Sequence, residues 1–546
     1  MQTSFSSMKR IIALAAALAL GSLYAGAQIV SVTPSKDNCS IYQRTDVAVV
    51  LKGEWQNPIR QEEAKLDMLI LSPSGKTLVL PAFWVSGESG SESLWQARFT
   101  PQETGVYKYS FRYSQPGIES VSETCTLTVN AGEGQSHGML HTNDNWTLKF
   151  DDGTPYRGIG ENICWESRAN DDSKFFKDLH EQHDRFNYPV MLPKFAQNGG
   201  NFIRVWMCGW NFPIDKKSRF NNIRYTDSEG PMNESAVKRL DETVELCEQL
   251  GISIMLCMGA GENRTDENFF VSEEARASHR NRLRYIVARW GYSPAIAMWE
   301  FFNEVDNIQF GNRQHPIPHE AITSWHAHMS KYLKGLDPYG HIVTTSISHR
   351  DVIGMNDVPD MDINQKHIYN NTIVIPETID RYEANHGKPY IIGEFGYEWD
   401  WSKNFDEFGD GMDMDFRRGL WYGLFCPTPV TPMSWWWEYF DNRDMVRYFN
   451  APAMVNKEML ESGKGTFEPV SATAGKVKAF AVKCGAKTYV YVFNSGKSSI
   501  KSITVAAKGS VKELDIEKAQ WGKASKCNGT IRTSIAPKSE KVFVIE

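Results

Sequence analysis

The alternation of apolar and polar positions changes twice along the 546 residues and divides the chain into three parts. From residue 28 to 130, short runs such as "DVAVVL" and "VYKYSFRY" alternate residue by residue and are separated by turn formers. A period of two is typical of half-buried β-strands. This part therefore predicts an N-terminal, immunoglobulin-like β-sandwich domain, and the glycine-rich, polar segment 131–138 predicts a linker.

Residues 140–462 carry a second pattern, in which short apolar runs alternate with segments of helical periodicity. The apolar runs predict eight strands, with the sequences "YRGIGEN", "FIRVWM", "ISIMLCM", "AIAMWEFF", "HIVTTSI", "MDINQKHIY", "PYIIGEF" and "PMSWWW". Repeated strand–helix units of this number predict a (β/α)8 TIM barrel. An open, doubly wound sheet is the alternative, but no glycine-rich phosphate loop favours it.

From residue 467 to 546 the helical pattern stops and alternation returns, in runs such as "TYVYVFN" and "EKVFVIE". These runs predict a C-terminal β-sandwich domain. The expected fold is therefore of the α/β class, a TIM barrel flanked by two β-sandwich domains.

The first 27 residues have the pattern of a targeting segment. Lys9 and Arg10 precede the apolar run "IIALAAALAL", and a small-residue cleavage site follows at 25–27. We expect a signal peptide and a secreted or periplasmic protein. The apolar run is too short to span a membrane, and no cysteine follows the cleavage site, so we expect no membrane anchor.

Charge and cysteine usage exclude several classes of function. The net charge is −7 and the basic residues are scattered, which argues against nucleic-acid binding. None of the nine cysteines forms a C-x-x-C pair, so neither a zinc site nor a redox motif is predicted. Disulfides between Cys39 and Cys125, and between Cys484 and Cys527, are conceivable because each pair lies within one predicted domain.

Two glutamates stand where barrel enzymes carry their active sites, at the carboxyl ends of strands. The dipeptide Asn-Glu occurs at 233, where it opens a helix and predicts a cap, and at 303, where it ends the fourth strand. The dipeptide Gly-Glu occurs six times, but only at 160 and 393 does it end a predicted strand. Their positions at strand ends make Glu304 and Glu394 the candidate catalytic acids. The alternative is that each is only a helix cap or a solvent-exposed residue at the end of a strand.

The barrel region resembles the retaining β-glycosidases of glycoside hydrolase clan A, of which family 5 is the best-known branch. The resemblance implies that Glu304 is the acid/base and that Glu394, 90 residues later, is the nucleophile. It implies that Arg204 in "FIRVW" holds the nucleophile carboxylate, although a structural ion pair would also explain this arginine. His367 and Tyr369 in "KHIY" resemble the aromatic pair on strand six, with core packing as their alternative.

Further residues are expected to contact a sugar. By the same resemblance Asn303 hydrogen-bonds the 2-hydroxyl, and the run of tryptophans at 435–437 supplies a platform beneath the ring. Successive strand residues face opposite sides, so we expect Trp436 or Trp437, but not all three, to face the cleft. Glu161 and Asn162, at the end of the first strand, and Trp399, in the acidic segment 398–415, are the remaining expected contacts. The acids of that segment do not have the spacing of a calcium loop.

The sequence thus predicts a monomeric retaining glycosidase that hydrolyses a β-linked polysaccharide or oligosaccharide, with no cofactor or metal. An exo-acting glycosidase on the same scaffold, such as an arabinofuranosidase, is the first alternative. A non-catalytic carbohydrate-binding barrel is the second, although such a protein would have no need to keep both glutamates. A flavin- or nicotinamide-dependent barrel would need a phosphate-binding glycine loop, which "SWWWEYFDNRD" does not provide.

Overall fold

The computed structural model describes residues 28–132, 136–166, 187–220, 222, 224–259, 265–397 and 409–546. The chain divides into two compact units, each of which is described by itself. The first holds the chain through Gly138 together with Val271–Ser293 and Lys331–Gly340, and the second holds the remainder. No helix in the described ranges is long and apolar enough to cross a membrane.

The N-terminal strands of the first unit form two sheets, one of four strands in the order β1-β3-β7-β6 and one of six built on β2-β10-β8-β4-β5 with β9 beside β8. In β3 every second side chain is buried, as the alternating sequence predicts. The strands are β1 (Gln28–Pro34), β2 (Asn38–Ser40), β3 (Thr45–Lys52), β4 (Lys65–Leu71), β5 (Thr77–Pro81), β6 (Phe83–Gly87), β7 (Glu92–Phe99), β8 (Gly105–Gln115), β9 (Ile118–Val121) and β10 (Cys125–Asn130).

The strands of the second unit begin with a small antiparallel sheet of β11 (Leu140–Thr142), β12 (Leu148–Phe150) and β13 (Pro155–Tyr156). Except for β20, the parallel strands that follow are buried along their whole length, as expected for a sheet covered on both faces. They are β14 (Gly160–Asn162), β15 (Phe202–Trp206), β16 (Ser253–Cys257), β17 (Ile296–Glu300), β18 (Ile342–Thr344), β19 (Ser346–Ile347), β20 (Asn364–Tyr369) and β21 (Tyr390–Gly396).

These strands form a TIM barrel in which the fifth predicted strand is split into β18 and β19. The eighth strand, 429–435, makes only isolated bridges, yet it closes the ring. On one side Trp435 N–H donates to Phe395 O at 3.0 Å, and on the other Asn162 N–H donates to Ser434 O at 3.3 Å. The predicted strand over "PMSWWW" therefore ends near Trp435, because a helix begins two residues later.

Helices alternate with the barrel strands, as the repeated strand–helix pattern predicts. The helix that Asn233 caps begins at Glu234, with Asn233 Oδ1 accepting from Ala236 N–H at 2.9 Å, and it ends at Gly251 in a left-handed conformation. The helices are α1 (Tyr188–Gln197), α2 (Glu234–Leu250), α3 (Glu267–Val271), α4 (Glu273–Trp290), α5 (Val305–Gln309), α6 (His319–Leu336), α7 (Ile375–His386), α8 (Gly409–Phe425), α9 (Trp437–Asn442) and α10 (Asn450–Gly463).

The amino-terminal end of the barrel is filled with apolar side chains. Leu140, Leu148 and Tyr156 of the small sheet share one buried cluster with Phe202 and Ile342, the first residues of two barrel strands. The described residues therefore close this end, whereas barrel enzymes carry their sites at the carboxyl ends of the strands.

The C-terminal strands form one eight-stranded sheet that closes on itself, because β24 pairs with both β23 and β25. Its packing against α8 includes Tyr491, whose ring stacks on Phe425 with centroids 5.6 Å apart. The strands are β22 (Glu468–Pro469), β23 (Ala472–Ala474), β24 (Val477–Cys484), β25 (Lys487–Phe493), β26 (Ile500–Asp515), β27 (Gln520–Trp521), β28 (Ser525–Ile535) and β29 (Glu540–Ile545).

All nine cysteines are free thiols, so the two conceivable disulfides are not formed. Strand pairing explains why Cys39 and Cys125 are not joined. Cys39 lies opposite Val129 of β10, and Cys125 lies four residues before Val129 on that strand. Four residues of a strand span roughly 13 Å, beyond the reach of a disulfide. Cys484 on β24 and Cys527 on β28 lie on strands that do not pair with each other.

Candidate active site

The centre of the site is Arg204, a fully buried guanidinium on β15. Its Nε and Nη2 donate to the two carboxylate oxygens of Glu300 at 2.7 and 2.8 Å, a bidentate pair. Nη1 donates to Glu394 Oε1 at 2.5 Å and to Asn162 Oδ1 at 3.3 Å, and Nη2 also donates to Asn303 Oδ1 at 2.8 Å. One arginine therefore joins strands one, two, four and seven of the barrel.

Glu394 lies on β21 and is almost completely buried. Besides the bond from Arg204 to Oε1, its Oε2 accepts a short hydrogen bond from the Tyr369 hydroxyl. The preceding Gly393 is required by close packing, since a Cβ there would lie 1.6 Å from the Gln365 side chain. The Gly-Glu dipeptide at 393 thus reflects steric crowding beside the carboxylate.

Glu304 lies four residues after the end of β17, in a left-handed backbone conformation with φ 49° and ψ 58°. Its N–H donates to Ser346 Oγ at 2.8 Å, and its Oε2 accepts from Asn307 Nδ2 at 2.7 Å. The side chain keeps 18% of its surface exposed, against 3% for Glu394. Glu304 is therefore the carboxyl group that faces the cleft.

His367 lies between the two carboxyl groups. Its Nδ1 is 2.8 Å from Glu304 Oε1 and 3.3 Å from Glu394 Oε2. Burial lowers the pKa of His367 to about 4, so the imidazole is neutral near pH 7. An oxygen of Glu304 and an oxygen of Glu394 lie within 4.8 Å of each other.

The environment separates the protonation states of the two glutamates. Burial, reinforced by the negative charge of Asp306, raises the pKa of Glu304 to about 7. Burial also raises the pKa of Glu394, but His367, Arg204 and the Tyr369 hydroxyl oppose that rise. The arrangement can therefore supply a proton from Glu304 and a carboxylate from Glu394 at the same time.

Asp306, in the first turn of α5, is fully buried and is held as an acceptor by the segment after β19. Its carboxylate accepts the backbone N–H groups of Ser348, His349 and Arg350 at 2.7, 3.1 and 3.1 Å, and Ser348 Oγ donates to it as well. Sequence reasoning missed this residue, although it lies only two positions after Glu304.

Asn303 is where the sequence predicts it, at the edge of the cleft with 7% of its surface exposed. Its Oδ1 accepts from Arg204 Nη2 and its N–H donates to Gly259 O at 2.7 Å. The bond from Arg204 fixes the orientation of the amide and directs the Nδ2 donor away from the guanidinium.

A cluster of five tryptophans stands beside the carboxylates, and only Trp435 and Trp437 of these were considered from the sequence. Trp435 packs with Trp165 and Trp206 at centroid distances of 5.4 and 5.3 Å, and Trp437 packs on Trp165 at 4.8 Å. Trp210 completes the cluster against Trp165 at 5.8 Å. Trp206 could have been found, because it lies two residues after Arg204 on the same face of β15.

The expectation that Trp436 faces the cleft is wrong. Its ring is buried, and its Nε1 donates to Tyr397 O at 2.9 Å in a packed region lined by Phe395 and Phe416. Trp437 is buried as well, whereas Trp435 remains partly exposed. Trp435 is therefore the member of the run that can meet a ligand.

Two other expected sugar contacts are internal. Asn162 is fully buried, and its Nδ2 donates to the carbonyl oxygens of Gly393, Met433 and Ser434 at 2.9–3.1 Å, which helps to close the barrel. Glu161 is buried too and accepts from Ser434 Oγ at 3.2 Å. Neither side chain can contact a sugar in the cleft. Trp399 lies outside the described residues.

Within the described ranges, Glu304, His367 and Glu394 also have the spacing of three metal ligands. The Arg204 guanidinium already occupies one oxygen of Glu394, and its positive charge opposes a cation at that position. We therefore assign no metal ion to these three residues.

Comparison with known proteins gives two family matches. Residues 171–408 match the family described as Cellulase (glycosyl hydrolase family 5). Residues 38–114 match DUF5060, a domain of unknown function.

Individual relatives agree with the first match. Mannan endo-1,4-beta-mannosidase A of Podospora anserina is 24% identical over 250 residues, 38% of this chain and 64% of that protein. Mannan endo-1,4-beta-mannosidase F of Aspergillus fumigatus is 22% identical over 257 residues, 38% of this chain and 56% of that protein. The chain thus spans about three fifths of the length of these relatives.

A solved structure from Bacteroides vulgatus, described as a candidate glycoside hydrolase, covers 94% of this chain and all of its own with a TM-score of 0.65. At 14% sequence identity it supports the fold alone. The cellulase match and the mannosidase relatives together support a family 5-like glycosidase of clan A for the barrel domain.

Proposed function

We propose that this protein hydrolyses β-1,4-linked mannan or a closely related β-linked polysaccharide with retention of anomeric configuration. The observation that carries the proposal is the pair Glu304 and Glu394, with carboxylate oxygens within 4.8 Å of each other at the open end of the barrel. Retaining glycosidases hold their carboxyl groups about 5–5.5 Å apart, whereas inverting enzymes separate them by about 6.5–9.5 Å. The named activity of the mannosidase relatives suggests the sugar.

In the first step Glu394 attacks the anomeric carbon and forms a carboxyl–carbon bond while the glycosidic carbon–oxygen bond breaks. The proton on Glu304 goes to the departing oxygen, which leaves as an alcohol. Arg204 and Tyr369 keep Glu394 ionised and correctly oriented, and Asn303 presents its amide to the 2-hydroxyl. In the second step Glu304, now a carboxylate, takes a proton from water, whose oxygen displaces Glu394.

The test is a screen of the purified protein against β-mannan, glucomannan, β-glucan, xylan and arabinan, with new reducing ends as the readout. We expect cleavage of mannan, and proton NMR of early products should find the β-anomer first. Initial formation of the α-anomer, or no cleavage of any β-linked polymer, would contradict the proposal. Faster cleavage of β-glucan or arabinan would overturn the sugar assignment while leaving the mechanism intact.

The pH profile should depend on Asp306. Activity is expected to fall as the pH rises through about 7, because Glu304 must be protonated to donate. Asp306→Asn removes the negative charge that raises this pKa, so the alkaline limb of kcat should move to lower pH. Ser348→Ala is the matched control, since it removes one hydrogen bond to Asp306 but no charge. An unmoved limb in Asp306→Asn would contradict the electrostatic role.

Trp435 should contribute to substrate binding. Trp435→Ala is expected to raise KM about tenfold on polysaccharide, because a partly exposed ring that stacks on a sugar buries apolar surface. Trp436→Phe is the control: its ring is internal, so KM should stay constant while the melting temperature falls. Steady-state kinetics on both variants make the comparison, and an unchanged KM in Trp435→Ala would refute the stacking role.

We also propose that the protein is exported and acts as a monomer, with two flanking β-sandwich domains as accessory modules. The charged, apolar and small-residue segments of residues 9–27 support export. The two sheets of the first unit and the closed C-terminal sheet support the domain assignment.

A further inference from the structure

A cavity of about 330 Å³ lies within the first compact unit, and neither Glu304 nor Glu394 lines it. Its walls come from β4, β5 and β8, from Arg284 of α4 and from the last turns of α6. Its volume is at the lower end of the range for small-molecule sites.

The lining is strongly basic. Four cationic side chains contribute to it, those of Lys65, Arg112, Arg284 and Lys331, against the single carboxylate of Asp67. Four positive charges less one negative charge leave a net charge of +3 on the lining residues. A cavity of this composition attracts anions.

The distances show which cations are already neutralised. Arg284 Nη2 is 2.6 Å from Asp67 Oδ1 and also donates to Leu66 O at 2.8 Å, so this buried pair is tight. Lys65 Nζ and Arg112 Nη2 are 3.4 and 3.5 Å from Asp67 Oδ2, at the limit of an ion pair. Both of these side chains keep about a third of their surface exposed, 37% and 34%.

Asp67 stays ionised in this arrangement. Burial opposes its ionisation, but the charges of Arg284 and Lys65 hold the pKa of the carboxyl below its usual range. Three cations share this one carboxylate, which can neutralise a single positive charge, so the cluster keeps a net positive charge, and Lys331 adds a further cation to the lining. Planar or tetrahedral oxyanions suit such a set because guanidinium groups bind them through two parallel hydrogen bonds.

The remaining walls fit a sugar ring. Val79, with 42% of its surface exposed, and Pro81 present apolar surface, and Tyr332 contributes a half-buried ring. A pyranose has apolar faces of this kind and polar edges. The cavity therefore combines an oxyanion site with a surface for a ring.

We propose that this cavity binds a saccharide that carries an oxyanion, either a uronate or a sulfate ester. The β-strand residues concerned, Lys65, Asp67 and Arg112, lie within the match to the domain of unknown function, for which the proposal supplies a role. Binding in this cavity uses neither glutamate and requires no hydrolysis, so the proposal stands or falls independently of the proposed activity.

The test is calorimetric titration of the full-length protein at constant ionic strength with glucuronic acid, glucose 6-sulfate, glucose and inorganic sulfate. We expect saturable binding of one or both anionic sugars, none of glucose, and at least tenfold weaker binding of inorganic sulfate. Arg112→Gln and Lys331→Gln should each weaken binding of the anionic sugar about tenfold, the usual size of a lost charged contact. Both variants leave the Asp67–Arg284 pair intact.

Lys108→Gln is the matched control, because Lys108 is an exposed cation on the same strand as Arg112 but does not line the cavity. It should bind the anionic sugar as the natural protein does, and all three variants should hydrolyse neutral polysaccharide normally. The proposal is overturned if neither anionic sugar binds, if glucose or inorganic sulfate binds as tightly, or if Arg112→Gln binds no more weakly than Lys108→Gln.

Discussion

Replacing Glu394 by alanine should lower kcat on polysaccharide by roughly 10⁴-fold or more, the scale seen when a covalent nucleophile is removed. The carboxylate forms the covalent bond to the sugar in the proposed mechanism, and no described neighbour can replace it, since Glu300 is fully engaged by Arg204. Glu304→Ala should have a smaller effect on substrates with good leaving groups, because these do not need protonation.

Added azide distinguishes the two roles. In Glu394→Ala, azide can enter the space of the missing carboxylate and attack directly, which gives a glycosyl azide of inverted configuration. In Glu304→Ala it attacks the glycosyl-enzyme instead and gives a retained product. Product NMR reads the configuration. Glu161→Gln is the control: burial raises the pKa of Glu161 well above its usual value, so its neutral amide analogue should retain activity. Full activity in Glu394→Ala, or reversed azide products, would refute the assignment.

The second large effect concerns stability. Arg204→Met leaves the buried carboxylates of Glu300 and Glu394 without their shared cation, and breaking a buried ion pair from one side costs about 3–5 kcal/mol of unfolding free energy. Urea denaturation should register this loss. Activity should fall as well, because the unpaired Glu394 would take up a proton and cease to be a nucleophile.

The double variant Arg204→Met/Glu300→Gln separates the two consequences. Removing the charge of Glu300 should recover part of the lost stability, since one unpaired carboxylate disappears. It should recover no activity, because Glu394 still lacks its cation. A stability loss below about 1 kcal/mol in Arg204→Met would mean that water or another group neutralises these carboxylates.

Sequence periodicity predicts the strands correctly where they are long or completely buried. The prediction fails where the hydrogen bonding of a strand is irregular. Seven of the barrel strands coincide with apolar runs that the sequence contains, because a covered parallel sheet needs side chains of that kind. The eighth differs because 429–435 pairs only at single bridges, so its end cannot be read from the run of tryptophans. Because the strand ends near Trp435 and a helix begins at Trp437, the alternation of faces cannot be carried through the run, and the expectation that Trp436 or Trp437 faces the cleft is wrong.

The candidate site divides in the same way. Glu304, Glu394, Arg204, His367 and Tyr369 lie together because each occupies the end of a strand or the face that points into the barrel. The roles of the other polar groups depend on their tertiary neighbours, which the spacing of residues along the sequence does not reveal. Asn162 hydrogen-bonds the carbonyl groups that help to close the barrel and does not contact a ligand. Asp306 raises the pKa of Glu304, and the segment after β19 holds Asp306 in place through backbone N–H groups.

The left-handed backbone of Glu304 has a further consequence. Residues with a Cβ avoid this conformation, at a penalty of roughly 1–2 kcal/mol, whereas glycine adopts it freely. If folding alone governed position 304, glycine would be the better residue there. The barrel therefore holds its acid in a conformation that the isolated chain would leave, and the rest of the fold supplies the free energy that keeps the proton donor in place before any substrate arrives.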